Sequence, residues 1–286
     1  MNGKLHFDYV RNFGLCTGDI ADIHLGTIKD AVKLTPVLLK IARNQIDNDL
    51  LKNEADVLKA LTDKFASEKK SQTWNCCVPK ILDSFQVTAD DGKPKPQVNI
   101  LEFFTGFISG EDIRKISTGI DGRTLVWMWK RTLGVLSWIH HFGYVHGAVL
   151  PPHVLFFPDG SIKDERTHAI RLVDWCYAVN EKERLKAWIP DYKDFYPPEV
   201  INKNTIKPST DLYMAAKTMI YLTGGDVIKN KFPTKIPPQL GNQIKKCLDP
   251  VAHRRPQNVS AIFDAFKATA KDVYGEPKFH EFKLGI

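Results

Sequence analysis

The sequence lacks the features of membrane and secreted proteins. No apolar run approaches the roughly 20 residues that a membrane-spanning helix needs. The first residues, MNGKLHFDYVRN, lack the apolar core of a secretory signal. Internal repeats and low-complexity tracts are also missing, which excludes a solenoid or a fibrous protein. We therefore expect a cytoplasmic protein that makes no membrane contact.

Cysteine is scarce, and its spacing does not suit a zinc site. The sequence has five cysteines and no C-x-x-C pair. Cys76 and Cys77 are adjacent, which leaves two interpretations: a redox pair, or reduced thiols that pack as small apolar groups. The odd total and the irregular spacing favour reduced thiols in a cytosolic protein.

The remaining composition is that of an ordinary globular protein. Among 286 residues, 43% are hydrophobic and 26% are charged. The 40 Lys and Arg residues exceed the 33 Asp and Glu residues, which gives a formal net charge of +7. Because the basic residues are spread along the chain and accompany no recognised nucleic-acid module, a solvated basic surface is the main interpretation. Nucleic-acid binding is kept as a lesser alternative.

The character of the chain changes near Gly106. Before it, short β-branched or leucine-rich segments predict strands, and the apolar spacing within residues 44–65 predicts one helix. After it, helical patterns dominate and are broken by loops that contain Pro or Gly. Strands are predicted at 20–28, 36–42, 78–88 and 96–104, and later helices at 123–142, 209–223, 236–248 and 258–273. This order predicts an α+β fold.

Five short motifs follow one another in the second part of the chain. They are YVHGAVLPPHVL (144–155), DWC (174–176), YPPE (196–199), STDLYMAA (209–216) and LDPVAHRRP (248–256). In this order they resemble the catalytic loop H-R-D-x-x-x-x-N, the D-F-G and A-P-E motifs, the start of the central C-lobe helix and the late arginine motif of eukaryotic-type protein kinases. The resemblance covers nearly all of residues 10–270.

The resemblance implies a bilobal fold. Residues 1–104 would form an N-lobe with a small antiparallel sheet and one helix, which corresponds to the αC helix of the family. Residues 105–273 would form a larger, mainly helical C-lobe, followed by a tail at 274–286. The segment 144–155, hereafter the candidate catalytic loop, is more similar to kinase-like domains of bacteria and their phages. The implied location is a bacterial cytoplasm, or the host cytoplasm for a phage protein.

The first part of the chain supplies candidate nucleotide-binding residues. Lys40, which ends the segment VLLK, resembles the strand lysine that holds the α- and β-phosphates of ATP in kinases. Glu54, fourteen residues later, is placed like the helix glutamate that pairs with that lysine. The segment LEFF resembles the hinge, with Leu101 as the gatekeeper and the backbone of Glu102 and Phe104 facing adenine. A solvated lysine at a strand end is the alternative for Lys40 taken alone.

The loop that covers the phosphates in kinases is degenerate here. The resemblance places Cys16, Gly18 and Ala21 at the three glycine positions of that loop. Glycines there let backbone N–H groups approach phosphates, so one remaining glycine predicts a poor phosphate site. Asp19 and Asp22 would repel a triphosphate if they faced inward, although the favoured interpretation is that both face solvent.

The candidate catalytic loop has lost its chemistry. Ala148 stands where kinases have the aspartate that accepts the proton of the substrate hydroxyl, and a methyl group cannot do this. His153 replaces the asparagine that binds the second Mg²⁺, an ion that prefers oxygen ligands. Asp174 is retained as a candidate metal ligand together with His153, whereas Trp175 and Cys176 replace the Phe and Gly of D-F-G.

The residues that support the C-lobe of a kinase are present. By resemblance, Glu199 and Arg255 form a buried ion pair, and Asp211 holds the backbone of the candidate catalytic loop. His146 matches the histidine of H-R-D, for which packing is the expected role. The sequence therefore predicts a structural frame that is kept around an altered reaction centre.

The residues of the usual phosphorylation switch are missing. Residues 174–199 contain no Ser or Thr, and Gly147 replaces the arginine that would bind a phosphate on the activation loop. Tyr177, Tyr192 and Tyr196 are expected to pack rather than to be modified. We therefore expect no switching by phosphorylation of this segment.

These departures predict a pseudokinase: a binding, scaffolding or regulatory module with a protein partner and at most weak binding of ATP with Mg²⁺. Two alternatives stay open. One is an active phospho- or nucleotidyl-transferase in which His153 or His146 replaces the lost base. The other is a protein whose basic surface binds nucleic acid or anionic lipid.

Overall fold

The computed structural model divides into two compact units. Unit one comprises Met1–Asp63 and Pro79–Thr105, and unit two comprises Lys64–Val78 and Gly106–Ile286. Residues 64–78 thus belong to unit two although they precede the predicted boundary at residue 104, and the division into two lobes and a tail stays a prediction. The structure describes residues 6–8, 14–29, 34–88, 94–158 and 167–284.

Unit one is built on an antiparallel sheet. The strands pair in the order β1-β3-β4-β6-β5, and β2 pairs with β3 outside this path. They are β1 (His6–Asp8), β2 (Gly14–Thr17), β3 (Ala21–Lys29), β4 (Leu34–Ala42), β5 (Ile81–Thr88) and β6 (Pro94–Glu102). Because side chains alternate along a strand, β4 and β6 bury one apolar face, formed by Val37, Leu39, Val98 and Ile100. The predicted combination of sheet and helices is confirmed.

The helix predicted in the first part of the chain is α1 (Asn48–Ser67). Leu51, Leu58 and Leu61 are fully buried and lie on one face because they recur at helical spacing. The helix begins later than the sequence pattern suggested, because Gln45–Asp47 form a 3₁₀ turn. The 3₁₀ segment Gln72–Cys77 had no counterpart in the prediction, since its sequence has no periodicity.

Unit two is mainly helical. Its helices are α2 (Gly110–Ile116), α3 (Gly122–His141), α4 (Pro198–Ile201), α5 (Pro208–Leu222), α6 (Pro238–Lys245) and α7 (Val259–Tyr274). Short antiparallel strands accompany them: β7 (Ile108–Ser109), β9 (Val154–Phe156) and β10 (Ile170–Leu172) in one sheet, with β8 (Tyr144–Val145) paired to β11 (Val179–Asn180). All four helices predicted after residue 106 are therefore confirmed, although α6 ends earlier than expected.

The helix α3 is the centre of unit two. It begins where the carboxylate of Asp121 accepts the backbone N–H groups of Arg123 and Thr124, which caps the helix. It packs against α7, where the buried rings of Trp129 and Phe266 meet edge to face at 6.4 Å. Basic residues interrupt the apolar surface of α3, and none of the helices within the described residues is long and apolar enough to cross a bilayer.

The segment after α7 lies along unit two itself. Phe282 and Leu284 are buried, and the backbone carbonyl of His280 accepts a hydrogen bond from Nε2 of His168 at 2.8 Å. The sequence left open whether this tail docks on its own body or on a partner. The structure places it on its own body.

Candidate functional site

The central contact of unit one is a buried ion pair. Lys40 lies on β4 and Glu54 on α1, and their Nζ and Oε1 atoms are 3.0 Å apart. Lys40 is 5% exposed and Glu54 is 1% exposed. Burial of charges is tolerated because each group neutralises the other. The structure thus joins two of the predicted nucleotide-binding residues.

A residue that the sequence did not single out completes this pair. Asn99 on β6 is directly opposite Lys40 in the sheet and is fully buried. Its Nδ2 donates to Glu54 Oε2 at 3.0 Å and to the carbonyl of Leu51 at 2.8 Å, while its Oδ1 accepts from the hydroxyl of Ser84. Both oxygens of Glu54 are therefore held, one by a cation and one by an amide. The available signal was a polar residue inside the apolar segment VNIL.

The predicted hinge lies at the end of β6. Leu101 is buried, and the backbone N–H of Glu102 donates to the carbonyl of Lys80 at 2.9 Å. The carboxylate of Glu102 accepts the N–H of Lys80 at 3.3 Å, so this side chain anchors the strand end. Phe104 follows directly after the strand and is half-buried. An adenine contact here would use backbone atoms, as the resemblance implies.

The degenerate glycine loop is the turn between β2 and β3. The N–H of Gly18 donates to the carbonyl of Ala21 at 2.9 Å, so this donor is used within the turn. A Cβ at position 18 would lie 2.8 Å from that carbonyl oxygen, which explains why glycine is retained here. Arg43 donates to the carbonyl of Gly18 and lies 3.8 Å from Asp22. The turn thus requires Gly18 without reference to a phosphate.

In unit two, the candidate catalytic loop surrounds Ala148 with histidines. Ala148 is fully buried, its N–H donates to Nδ1 of His146 at 3.2 Å, and its carbonyl accepts from Nδ1 of His153 at 2.9 Å. The methyl group therefore lies in a closed backbone arrangement that offers neither an acid nor a base.

His153 faces Asp174. Its Nε2 lies 3.1 Å from Oδ2 of Asp174, and the two side chains are 10% and 15% exposed. Nδ1 of His153 must carry a proton because its partner, the carbonyl of Ala148, can only accept. A hydrogen bond from Nε2 to the carboxylate needs a second proton, so the geometry suits an imidazolium ion beside Asp174. The two predicted metal ligands are brought together, but as an ion pair.

His146 is used for internal packing. It is fully buried, and its Nε2 donates to the carbonyl of Val173 at 3.1 Å while Nδ1 accepts from Ala148. This arrangement fixes a neutral ring, and burial lowers the pKa of His146 to about 4. The ring packs edge to face on Trp175 at 4.6 Å, and the indole N–H of Trp175 donates to the carbonyl of Leu172.

Asp211, at the start of α5, holds the candidate catalytic loop from its backbone. Its carboxylate accepts the N–H groups of His146 at 2.8 Å and Gly147 at 2.9 Å, and it also pairs with Nε2 of His140 at 2.9 Å. The contact with His140 was not predicted. Its signal was a histidine near the end of an apolar helix.

Glu199 and Arg255 form the other predicted pair. Both oxygens of Glu199 contact the guanidinium of Arg255, at 2.6 and 2.9 Å, in a bidentate arrangement that is almost completely buried. Thr210 donates to the same carboxylate, and Arg255 Nε donates to the carbonyl of Asp249 at 2.6 Å. This pair connects α4 to the segment that precedes α7, and it is separate from His153 and Asp174 in the chain of contacts described.

The position of the lost arginine has no room for a side chain. Gly147 has φ of +77°, and a Cβ there would lie 2.7 Å from the carbonyl oxygen of Tyr177 and 2.6 Å from a methyl group of Leu185. Tyr177 and Tyr196 are buried. Burial raises the pKa of Tyr192, and the nearby carboxylate of Glu111 adds to this effect.

Comparison with known proteins gives one informative match. The chain is 22% identical over 158 residues to the serine/threonine-protein kinase F of Synechocystis sp. (strain ATCC 27184 / PCC 6803 / Kazusa). The matched part is 54% of this chain and 31% of that kinase, so the chain corresponds to about a third of its length. No family model matches the chain. The match supports a distant kinase-like relationship.

Proposed function

We propose that this protein is a pseudokinase: a kinase-like module that acts by binding and does not transfer phosphate. The observation that carries this proposal is Ala148, which is enclosed by backbone hydrogen bonds at the position of the catalytic aspartate. Positioned general bases typically contribute 10²–10⁴-fold to a rate, and no carboxylate replaces this one in the loop.

The pairing of His153 with Asp174 supports the same proposal. An imidazolium 3.1 Å from Asp174 neutralises the carboxylate that a Mg²⁺ ion would need. A divalent cation would have to displace this ring or repel it, because both carry positive charge. ATP binding, if it occurs through Lys40 and Asp174, is therefore expected to be weak and to gain little from Mg²⁺.

The buried pairs of Lys40 with Glu54 and of Glu199 with Arg255 support a maintained framework. Such pairs cost stability when they are broken, so they are explained by folding alone. A rigid framework without a reaction centre suits a scaffolding or regulatory role, for which we propose a protein partner.

A reversion experiment tests this proposal. Phosphate transfer from ATP, to the protein itself and to a generic protein substrate, should be undetectable for the natural sequence with Mg²⁺. Ala148→Asp combined with His153→Asn should make the thermal stabilisation by ATP dependent on Mg²⁺, because it removes the internal cation and restores oxygen ligands. His153→Gln alone is the matched control for loss of the ion pair. Robust transfer by the natural sequence that is lost in Asp174→Asn would overturn the proposal.

The alternative of a transferase with a displaced base rests on His153, which is 10% exposed at its side chain and contacts Asp174. His146 is a poor candidate because both of its ring nitrogens are engaged internally and it is fully buried. This alternative predicts measurable transfer that is abolished by both His153→Ala and Lys40→Ala. Transfer that survives either substitution counts against it.

A further inference from the structure

Unit two contains a groove bounded by α3, α7 and the tail that follows α7. Its volume is about 820 Å³, which is within the range of ligand-binding sites. The residues that line it combine cations with aromatic rings, and they take no part in the proposed pseudokinase function. Among them are Lys130, Arg131 and Lys267, which carry charge, and Trp127, His168 and Phe279, which carry rings.

The cations of this groove lack counter-ions. Lys130 and Arg131 lie on α3 and Lys267 lies on α7, and within the described ranges none of the three forms an ion pair with a carboxylate. Burial lowers the pKa of Lys130, and the charges of Lys267 and Arg131 lower it further. An anion in the groove would relieve this repulsion.

The positive charge extends along the groove. Arg123, which also lines it, precedes Lys130 by seven residues, which is two turns or about 10 Å along α3. Two carboxylates lie in the same lining, Asp264 and Glu276, and Glu276 is neutralised by Lys271 at 2.6 Å. The net charge of the lining is therefore positive over a length greater than one phosphate group.

The rings of the groove form a stack with an exposed end. The ring of His168 lies 4.4 Å from Trp127 with a 9° angle between planes, and 5.2 Å from Phe279 with a 20° angle. Trp127 is buried, whereas Phe279 is 42% exposed. The hydrogen bond from His168 to the carbonyl of His280 fixes the middle ring. A further planar group can extend this stack on Phe279.

The wall of the groove also contains an unsatisfied donor. The indole N–H of Trp127 is buried and has no acceptor in the part of the chain that the structure describes. Buried donors without a partner are costly, and they are commonly satisfied by a bound molecule or by water. This observation is independent of the charge and of the stack.

We propose that this groove binds single-stranded nucleic acid, with phosphates at Lys130, Arg131 and Lys267 and a base stacked on Phe279. Proteins that bind single strands combine a basic groove with aromatic platforms in this way. A duplex keeps its bases paired and cannot stack one on Phe279, and an acidic peptide would not use the ring stack. The inference is independent of the proposed pseudokinase function, so either can fail alone.

Fluorescence anisotropy with a labelled single strand of about 12 thymidines measures this binding. Arg131→Glu combined with Lys267→Glu should weaken it by roughly 10- to 100-fold at 50 mM salt and should lower the slope of log affinity against log salt by about two or more. The matched control is Lys193→Glu with Arg254→Glu, two exposed cations of unit two outside the groove. The control has the same net charge and should change affinity by less than about twofold.

Phe279→Ala tests the base contact. It should weaken binding by about 5- to 100-fold without changing the salt slope, and Phe279→Trp should restore it. Circular dichroism and the thermal midpoint establish that each variant is folded. The Trp variant keeps the test valid if removal of the ring loosens the tail.

Four results would overturn the inference. They are equal losses in the groove and control variants, binding that ignores Phe279, equal affinity for a blunt duplex, and competition by thymidine monophosphate or an acidic peptide at the same concentration as the strand. The first two indicate a diffuse basic surface. The others indicate a duplex site, a mononucleotide pocket or a peptide site.

Discussion

At the scale of single residues, three neighbours in the candidate catalytic loop decide what the molecule can do. Gly147, Ala148 and His153 replace an arginine, an aspartate and an asparagine of the kinase pattern, and each is accommodated by its surroundings. Gly147 adopts a left-handed conformation against Tyr177, and His153 fills the place beside Asp174. The substitutions are therefore built into the packing rather than being isolated losses.

Gly147 provides a stability prediction with an internal control. Gly147→Ala should lower the free energy of unfolding by about 2–4 kcal/mol, because it adds a steric clash to left-handed strain. Gly143→Ala carries the same strain, since φ is +83°, but a Cβ there meets nothing within 4 Å. It should cost only about 1 kcal/mol. Urea unfolding of both variants measures the difference, and equal losses would contradict the clash.

Cys76 provides a prediction about reactivity. A hydrogen bond from Cys77 lowers the pKa of Cys76 to about 6, and the positive charges of Arg171 and Arg131 act in the same direction against partial burial. The thiolate therefore persists at pH 7 and is lost as the pH falls through about 6. Alkylation of Cys76 should be faster at pH 7 than that of the exposed Cys16, as measured by peptide mass spectrometry. Equal rates for the two thiols would be inconsistent with this.

At the scale of secondary structure, the sequence predicted most elements but not the polar network between them. Amphipathic spacing identified α3, α5 and α7 to within a few residues, because each buries a continuous apolar face. The candidate pair of Lys40 and Glu54 also came from the sequence. Asn99 did not, since a polar residue in a strand is equally compatible with a solvent-facing position. Only the packing of α1 on β4 and β6 reveals its role.

The network between β4, α1 and β6 gives a double-variant prediction. Lys40→Met should destabilise the protein by about 3–5 kcal/mol, because it leaves Glu54 charged and buried. Adding Glu54→Gln should recover a large part of this loss, since a neutral amide oxygen can still accept from Asn99. Urea unfolding of the natural sequence and of both single variants and the double variant completes the cycle. A double variant that is no more stable than Lys40→Met alone would show that the charge is not the cause.

At the scale of the whole molecule, the pH dependence of stability follows from His146. Its pKa is about 4 when folded and 6.5 when unfolded, so the unfolded state binds more protons between these values. Stability is complete above pH 6.5 and is lost as the pH falls towards 4. The shift of about 2.5 units corresponds to roughly 3 kcal/mol.

Urea unfolding between pH 7 and pH 4.5 measures this loss. The variant His146→Asn removes the titrating ring, so its stability should fall less steeply over this range, even though it is less stable at pH 7. The interval lies above the pKa of most carboxyl groups, which limits their contribution. Parallel curves for the natural sequence and the variant would assign the pH dependence to other groups.

The sequence by itself determined the mixed α+β composition, the main helices and the loss of a carboxylate at Ala148. These follow from periodicity and residue type, which are local properties. Tertiary structure alone decided that His153 pairs with Asp174, that Asn99 holds Glu54, and that Trp127, His168 and Phe279 form one stack beside uncompensated cations. Those contacts join residues distant in the chain, and their energies depend on burial and geometry that no sequence window contains.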